Sequence, residues 1–217
     1  MRFDPFGVCS RYAAESAIHR IIRGFMVLVL LGFLLHRVRQ YHLFAVKALW
    51  FAESALFAVL IIAYLFRSSP VSRSTGVQEI LIPLAGSALP FALLLTPPLP
   101  AVMAHRVLLL ALLWGMAAAT GLTVAGMWSL RRSFSITVEA RELVTTGPYR
   151  YVRHPVYCGE ILAATAVTAI RLSVANVVLL SLFVAIQLYR TRLEENKLRV
   201  TFPGYCQFAQ GSWWFWR

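Results

Sequence analysis

Long apolar runs alternate with short polar segments along almost the whole chain. Runs near 17–35, 43–66, 79–95, 106–128, 157–171 and 173–189 approach or exceed what a membrane crossing needs. A helix at right angles to a bilayer takes about 20 apolar residues, and shorter runs tilt, stay buried or insert in part. The pattern therefore predicts an all-α, polytopic membrane protein with five to six transmembrane helices. Only the 36–42 segment separates the first two runs and 171–173 the last two, so each pair is expected to form an antiparallel hairpin. Pro70, Gly76 and the group Thr96, Pro97, Pro98 and Pro100 mark the other turns, where proline removes a donor and disfavours continued helix.

Beyond the last apolar run the pattern changes. Residues 190–210 are polar and charged, but Leu193, Leu198, Val200 and Phe202 keep them partly amphipathic. A carboxyl-terminal interfacial helix on the cytoplasmic membrane surface is expected there, at least up to Pro203. The tail Ser212-Trp213-Trp214-Phe215-Trp216-Arg217 concentrates rings that favour the headgroup region, with an arginine to reach phosphate, and reads as an interfacial anchor.

Composition supports lipid as the solvent, since 59% of the 217 residues are hydrophobic and only 14% charged. One membrane domain over 1–217 is expected, with amino-terminal transmembrane helices in 1–128 and a polar loop, a helical hairpin and the carboxyl-terminal helix in 129–217. A net charge of +12 raises the question of nucleic acid, but the basic residues are scattered over short loops and form no continuous basic face. Topology explains them better. With six crossings and a cytoplasmic amino terminus, sixteen of the twenty-one lysines and arginines lie on the cytoplasmic side, counting Arg20 and Arg23 in the first turns of the first run, and both termini are cytoplasmic.

Cys9, Cys158 and Cys206 have no spacing typical of a zinc site, redox pair or disulfide framework, so free thiols and no metal are expected. The start of the chain, with Asp4 and Glu15 and no small-residue cleavage site, does not read as a removable signal peptide.

Candidate chemistry is gathered in two places. The 129–156 loop runs straight into a membrane helix: Gly147-Pro148 is a turn, and Pro155 suits a first helical turn because its missing N–H has no intrahelical partner. Tyr157 and Glu160 then share a helix face, with His154 at the helix mouth. An unpaired carboxylate is costly in an apolar helix, so Glu160 is expected to find a partner such as a loop arginine. Lys47 and Glu53, the other ionisable residues in apolar runs, are expected to pair with each other. In the second place, Arg190 and Glu194 stand at i and i+4, the spacing of an ordinary surface pair. Glu195 is turned about 100° from Glu194 and is expected to matter less.

The 147–159 run reads Gly-Pro-Tyr-x-x-x-Arg-His-Pro-x-Tyr-x-Gly without a gap, and 190–195 reads Arg-x-x-x-Glu-Glu, followed by Gly204-Tyr205. In these motifs the chain resembles the integral-membrane methyltransferases related to isoprenylcysteine carboxyl methyltransferase and the phospholipid N-methyltransferases, over about 90 carboxyl-terminal residues. The resemblance implies S-adenosyl-L-methionine as cofactor, held at a cytoplasmic cofactor loop by Leu143, Val144, Tyr149, His154, Pro155, Val156, Tyr157 and Glu194. It puts Arg190 beside the methyl acceptor. Arg190 and Glu194 are then the catalytic candidates, and Arg190 and Glu160 those for binding a membrane lipid or lipid-like substrate. The chain departs from the prenylcysteine enzymes at Arg141, where they carry a histidine, and Phe134 is the nearest match in spacing to their upstream glutamine. There is no Gly-x-Gly-x-x-Gly after a strand-like segment, so the soluble dinucleotide-type fold is not expected. A membrane sterol-type NADPH reductase shares the Arg-His-x-x-Tyr-x-Gly run, and a non-enzymatic transporter or scaffold would also fit the helices. Pro155 and the 190–195 element favour the methyltransferase.

Overall fold

The computed structural model describes the backbone of residues 15–66, 68, 70–74 and 76–216, and of these the side chains from residue 23 onward. The expectations for Cys9, the residues before Glu15 and Arg217 fall outside that set. Among the described residues there are helices and two isolated bridges but no strand. The helices are α1 (Glu15–Arg39), α2 (Lys47–Phe66), α3 (Gln78–Ala92), α4 (Pro100–Ala104), α5 (Arg106–Leu130), α6 (Pro155–Ile170), α7 (Val174–Thr201) and α8 (Tyr205–Gly211).

Among the described residues, four stretches are long and apolar enough to cross a membrane: Lys47–Phe66, Gln78–Leu95, Arg106–Ser133 and Val174–Thr201. The 16-residue α6 is apolar but shorter than these. Large side chains such as Phe51, Phe91, Val107, Trp114 and Val174 stand exposed on these helices. A water-soluble protein rarely shows so much contiguous apolar surface, and a bilayer removes the cost.

Local chemistry sets the helix ends. The His105 ring accepts from the Leu108 amide to cap α5, and the Ser173 hydroxyl accepts from that of Asn176 to cap α7, each at 3.2 Å. Pro155 opens α6 as expected. The surface helix expected after residue 189 is the continuation of α7, which runs unbroken for 28 residues. No proline or glycine interrupts that stretch, so only the 202–204 turn before α8 stops it.

α5 is the central helix, packed on α2 and most extensively on α6, while α3 packs on α7 and α1 on α2. The α5–α6 approach depends on Gly159, where a Cβ would lie 2.6 Å from the Ala119 carbonyl oxygen and 2.8 Å from the Thr123 nitrogen. At one end of the bundle, fully buried Asn176 donates to Thr96 Oγ1 at 2.7 Å and to the carbonyls of Leu93 and Arg171, tying the end of α3 to the α6–α7 turn. At the other, Ser72 pairs with Ala140, and Lys197 reaches both Glu79 and the Val138 carbonyl, so the 68–77 and 131–154 loops are held against α7.

Lys47 and Glu53 do not pair. Six residues apart on a helix they face different ways; Glu53 takes Arg37 of α1 at 3.0 Å, and Lys47 donates back to the Tyr41 carbonyl.

Gly159→Ala is expected to cost about 1–3 kcal/mol by forcing α5 and α6 apart. Thermal unfolding of the purified protein in detergent measures this, and an unchanged midpoint would mean that the two helices can separate freely.

Candidate functional site

Two surfaces meet at the loop-bearing end of the bundle: the 147–160 segment and one face of α7. The loop begins where α5 stops at Arg131, which has a φ of 46°. It turns into a 3-10 segment at Gly147–Arg150 and enters α6 through His154 as N-cap. Gly147 has a φ of 62°, and a Cβ there would meet the Ser129 hydroxyl at 2.5 Å, so this turn requires glycine.

The innermost contacts centre on Glu195. Its Oε1 accepts from His154 Nε2 at 3.0 Å and from Arg153 Nη1 at 3.1 Å, and its Oε2 accepts from Trp216 Nε1 at 2.9 Å. The side chains of Arg153 and Glu195 are each 2% exposed. Because Glu195 engages Nε2, Nδ1 of His154 carries no hydrogen bond and lies 4.0 Å from Glu194 Oε2.

Glu194 sits next to this on the site side. Its Oε1 accepts from the Tyr157 hydroxyl and, at 3.3 Å, from Arg190 Nε, which leaves Oε2 unengaged. Arg190 donates through Nη2 to the Ile136 carbonyl at 2.7 Å and stacks over the Tyr157 ring, while its Nη1 has no protein partner. Tyr149 is buried, and its hydroxyl bonds to no described residue. Burial, then the negative charges of Glu194 and Glu160, raise that hydroxyl well above its ordinary range, so Tyr149 is a neutral donor. Tyr205 is raised as well, by burial and then by Glu195.

One helical turn into α6, Glu160 takes Gln187 of α7 as its partner in place of the expected loop arginine. The loop arginine nearest in sequence, Arg153, is already committed to Glu195, and the α6–α7 packing sets a neutral amide opposite Glu160.

His154, Tyr157, Arg190 and Glu194 are thus brought together, with Tyr149 near enough to feel the charge of Glu194. Pro155 and Val156 are buried where α6 meets α5, and a Gly126 Cβ would collide with Val156. They shape the helix mouth. Leu143 and Val144 are half-buried in the extended run and make no hydrogen bond or ring contact with the cluster. Arg141 pairs with Glu139 at 2.6 Å. An apolar groove of about 460 Å³ lies farther along α5 and α6, beside Ala111, Gly115, Ala118, Leu162 and Thr165, and contains none of the site's charged groups.

Glu195, Arg153, Trp214 and Trp216 escaped the sequence reasoning. Glu195 is turned from Glu194 as expected, but toward the interior and not toward solvent. A signal was present: Gln187, Thr191 and Glu195 form an i, i+4, i+8 row of polar residues, all at most 1% exposed. In the tail, Trp214 is buried against the His154 ring with centroids 4.7 Å apart, while Trp213 and Phe215 are exposed. The anchor reading therefore fits only alternate rings. Cys158 and Cys206 are free thiols, and the described residues contain no cluster of three or more potential metal ligands.

Residues 107–200 match the model of the isoprenylcysteine carboxyl methyltransferase (ICMT) family. The match covers nearly all of α5, the loop, α6 and α7, and leaves the first four helices and the aromatic tail outside. No curated protein matches the chain. With its long apolar helices, the chain is an integral membrane protein whose carboxyl-terminal half is consistent with an ICMT-like methyltransferase.

Glu195→Gln is expected to lower unfolding free energy by about 3 kcal/mol, because it leaves the buried Arg153 charge without an ionised partner. Glu194→Gln should cost less than about 1 kcal/mol, its pair with Arg190 being partly open to solvent. Chemical unfolding of both variants in detergent measures the difference, and the reverse order would mean that Glu195 is not the structural member of the pair.

Proposed function

We propose that this protein transfers a methyl group from S-adenosyl-L-methionine to a lipid or lipid-like acceptor carried in the bilayer. The observation that carries the proposal is a group of polar atoms that make no hydrogen bond within the protein, Glu194 Oε2, His154 Nδ1, Arg190 Nη1 and the Tyr149 hydroxyl, on side chains that share one cluster. None of the four is a sealed, unpartnered atom, and such accessible donors and acceptors among aromatic rings suit a charged, polar ligand.

The donor set fits the cofactor. A carboxylate oxygen and aromatic faces suit cationic centres, and the His154 ring nitrogen and Tyr149 suit hydroxyl or carboxylate groups, while Pro155 and Val156, packed on α5, hold the helix mouth in place. Half-buried Leu143 and Val144 offer apolar surface for a purine along the loop. When bound, S-adenosylmethionine supplies a methyl group on a sulfonium, which departs as a neutral thioether without acid assistance. The protein's part is then to align the acceptor, exclude water and manage one proton.

For that task Arg190 and Glu160 lie on the acceptor side. Arg190 is anchored by Ile136 and Glu194, so its free Nη1 can hold a carboxylate in fixed geometry. An amine acceptor gives its proton to Glu160 or Glu194 instead. Glu160, one turn inside an apolar helix, is within reach of a substrate that arrives sideways through the membrane.

The cofactor is made in the cytosol, so the site must face it. The bias of sixteen basic residues against five supports both termini being cytoplasmic, which takes an even number of crossings, so α1 and α6 together raise the four long spans to six.

His154→Ala and Tyr157→Phe are each expected to weaken S-adenosylmethionine binding about tenfold, the effect of losing one hydrogen bond to a charged group. Calorimetric titration reads this, with NADPH titrated in parallel; binding of NADPH and not of S-adenosylmethionine would replace the proposal with a reductase. Mass spectrometry of membrane lipids should show a product heavier by one methyl group, in cells with the protein only. For topology, Cys9, Cys158 and Cys206 are replaced by serine. Ser133→Cys and Gln210→Cys should then react only with a thiol reagent admitted to the cytoplasm, and Ser173→Cys only with an external one. Outside labelling of Ser133→Cys or Gln210→Cys would put the site in the wrong compartment.

A further inference from the structure

The aromatic tail lies outside the family match and alternates in exposure. Trp213 and Phe215 are 55% and 62% exposed, whereas Trp214 between them is 5% exposed and Trp216 is half-buried. A run used only to sit among lipid headgroups has no need to turn every second ring inward. This one leaves α8 through an extended Ser212 into a bridge at Trp213, and period-two burial is what an extended segment shows when one face is docked.

The docked face touches both halves of the site. On the loop side, the Trp213 amide donates to the Tyr151 carbonyl at 2.8 Å and the Trp213 carbonyl accepts from the Arg153 amide at 3.1 Å, a short parallel bridge just before the N-cap of α6. The Trp214 ring packs on His154, and the Trp216 carbonyl accepts from the Arg153 guanidinium. On the α7 side, the Trp216 indole donates to Glu195 at 2.9 Å, and the Arg192 guanidinium lies 4.9 Å from the centre of its ring.

We infer that residues 212–216 form a strap that holds the loop and α7 in register, and that Trp216 is a positioning residue acting on His154 through Glu195. With Trp216 occupying Oε2, the carboxylate has one rotation in which Oε1 meets His154 Nε2 while both oxygens remain within 3.2 Å of Arg153. That rotation fixes the His154 ring and leaves its Nδ1 bare beside Glu194. Without the indole donor, the carboxylate is free to turn fully onto Arg153, and His154 loses the group that orients it. Trp216 touches no ligand in this scheme; its effect reaches the cofactor only through His154.

The inference rests on the proposed cofactor role of His154 and Glu194, so its test has one readout that needs no ligand. The full chain is purified in detergent as wild type, as Trp216→Phe, which keeps a ring for Arg192 but loses the N–H, and as the double variant Trp213→Ala with Phe215→Ala, which strips the outward rings. Amide exchange over residues 150–156 and calorimetric titration with S-adenosylmethionine are measured on each, with the unfolding temperature as a control.

Trp216→Phe should exchange faster over 150–156 and bind the cofactor about tenfold more weakly, at an unfolding temperature close to wild type. The double variant should match wild type in both readouts. Exchange and affinity unchanged in Trp216→Phe would overturn the strap, and so would equal losses in the two variants, which would return the tail to a lipid anchor. If the wild type binds no S-adenosylmethionine while Trp216→Phe still exchanges faster, the strap stands and the proposed cofactor falls.

Discussion

Arg153 and Glu195 lie 42 residues apart in sequence and meet with both side chains almost wholly removed from solvent. Bringing two charges out of water is expensive, and their attraction repays the cost only where the remaining donors and acceptors are also met. Here Glu195 gains His154 and Trp216, and Arg153 gains the Trp216 carbonyl, which leaves only its Nε buried without a partner. The consequence is geometric: a loop, the mouth of α6, the last turns of α7 and the tail must all be in place for the pair to be tolerated. The polar site beside it inherits that rigidity.

The rest of the bundle serves the same junction. α5 and α6 approach closely at Gly159, which sets the height of the α6 mouth against α5. α7 carries its apolar half through the bundle and its polar half out of it as one helix, so that Gln187, Arg190, Thr191, Glu194 and Glu195 are presented on rigid backbone. The Asn176 knot at one end and the Lys197–Glu79 contact at the other hold α7 against α3. Lipid covers the outer apolar surfaces, and the polar groups are gathered where the helices leave it.

Neighbouring glutamates divide the work. Glu195 faces inward and is saturated by its partners, so it is the structural member, while Glu194 keeps one oxygen open to the site. A turn of about 100° between adjacent helical residues is enough to separate the two roles. Arg190 is likewise held by two acceptors but leaves one end free, which makes it a positioned cation and not a mobile one.

The helices, the membrane as solvent, the Pro155 helix start and the Arg190–Glu194 pair were legible in the sequence, because each depends on hydropathy or on spacings within one helical turn. The motifs also named His154, Tyr157 and Glu194 as candidates, and the structure brings those three side chains together. What separates a continuous α7 from a span plus a surface helix is the lack of a breaking residue, a sequence signal outweighed by the change in polarity at residue 190. The partners of Glu53, Glu160 and Glu195 could not be read, since each lies on another element and is chosen by how helices are placed side by side. The tail was misread for the same reason: four large rings in succession look alike as composition, and only the docking of Trp213 on the 151–153 backbone decides which stay exposed and which pack on His154 and Glu195.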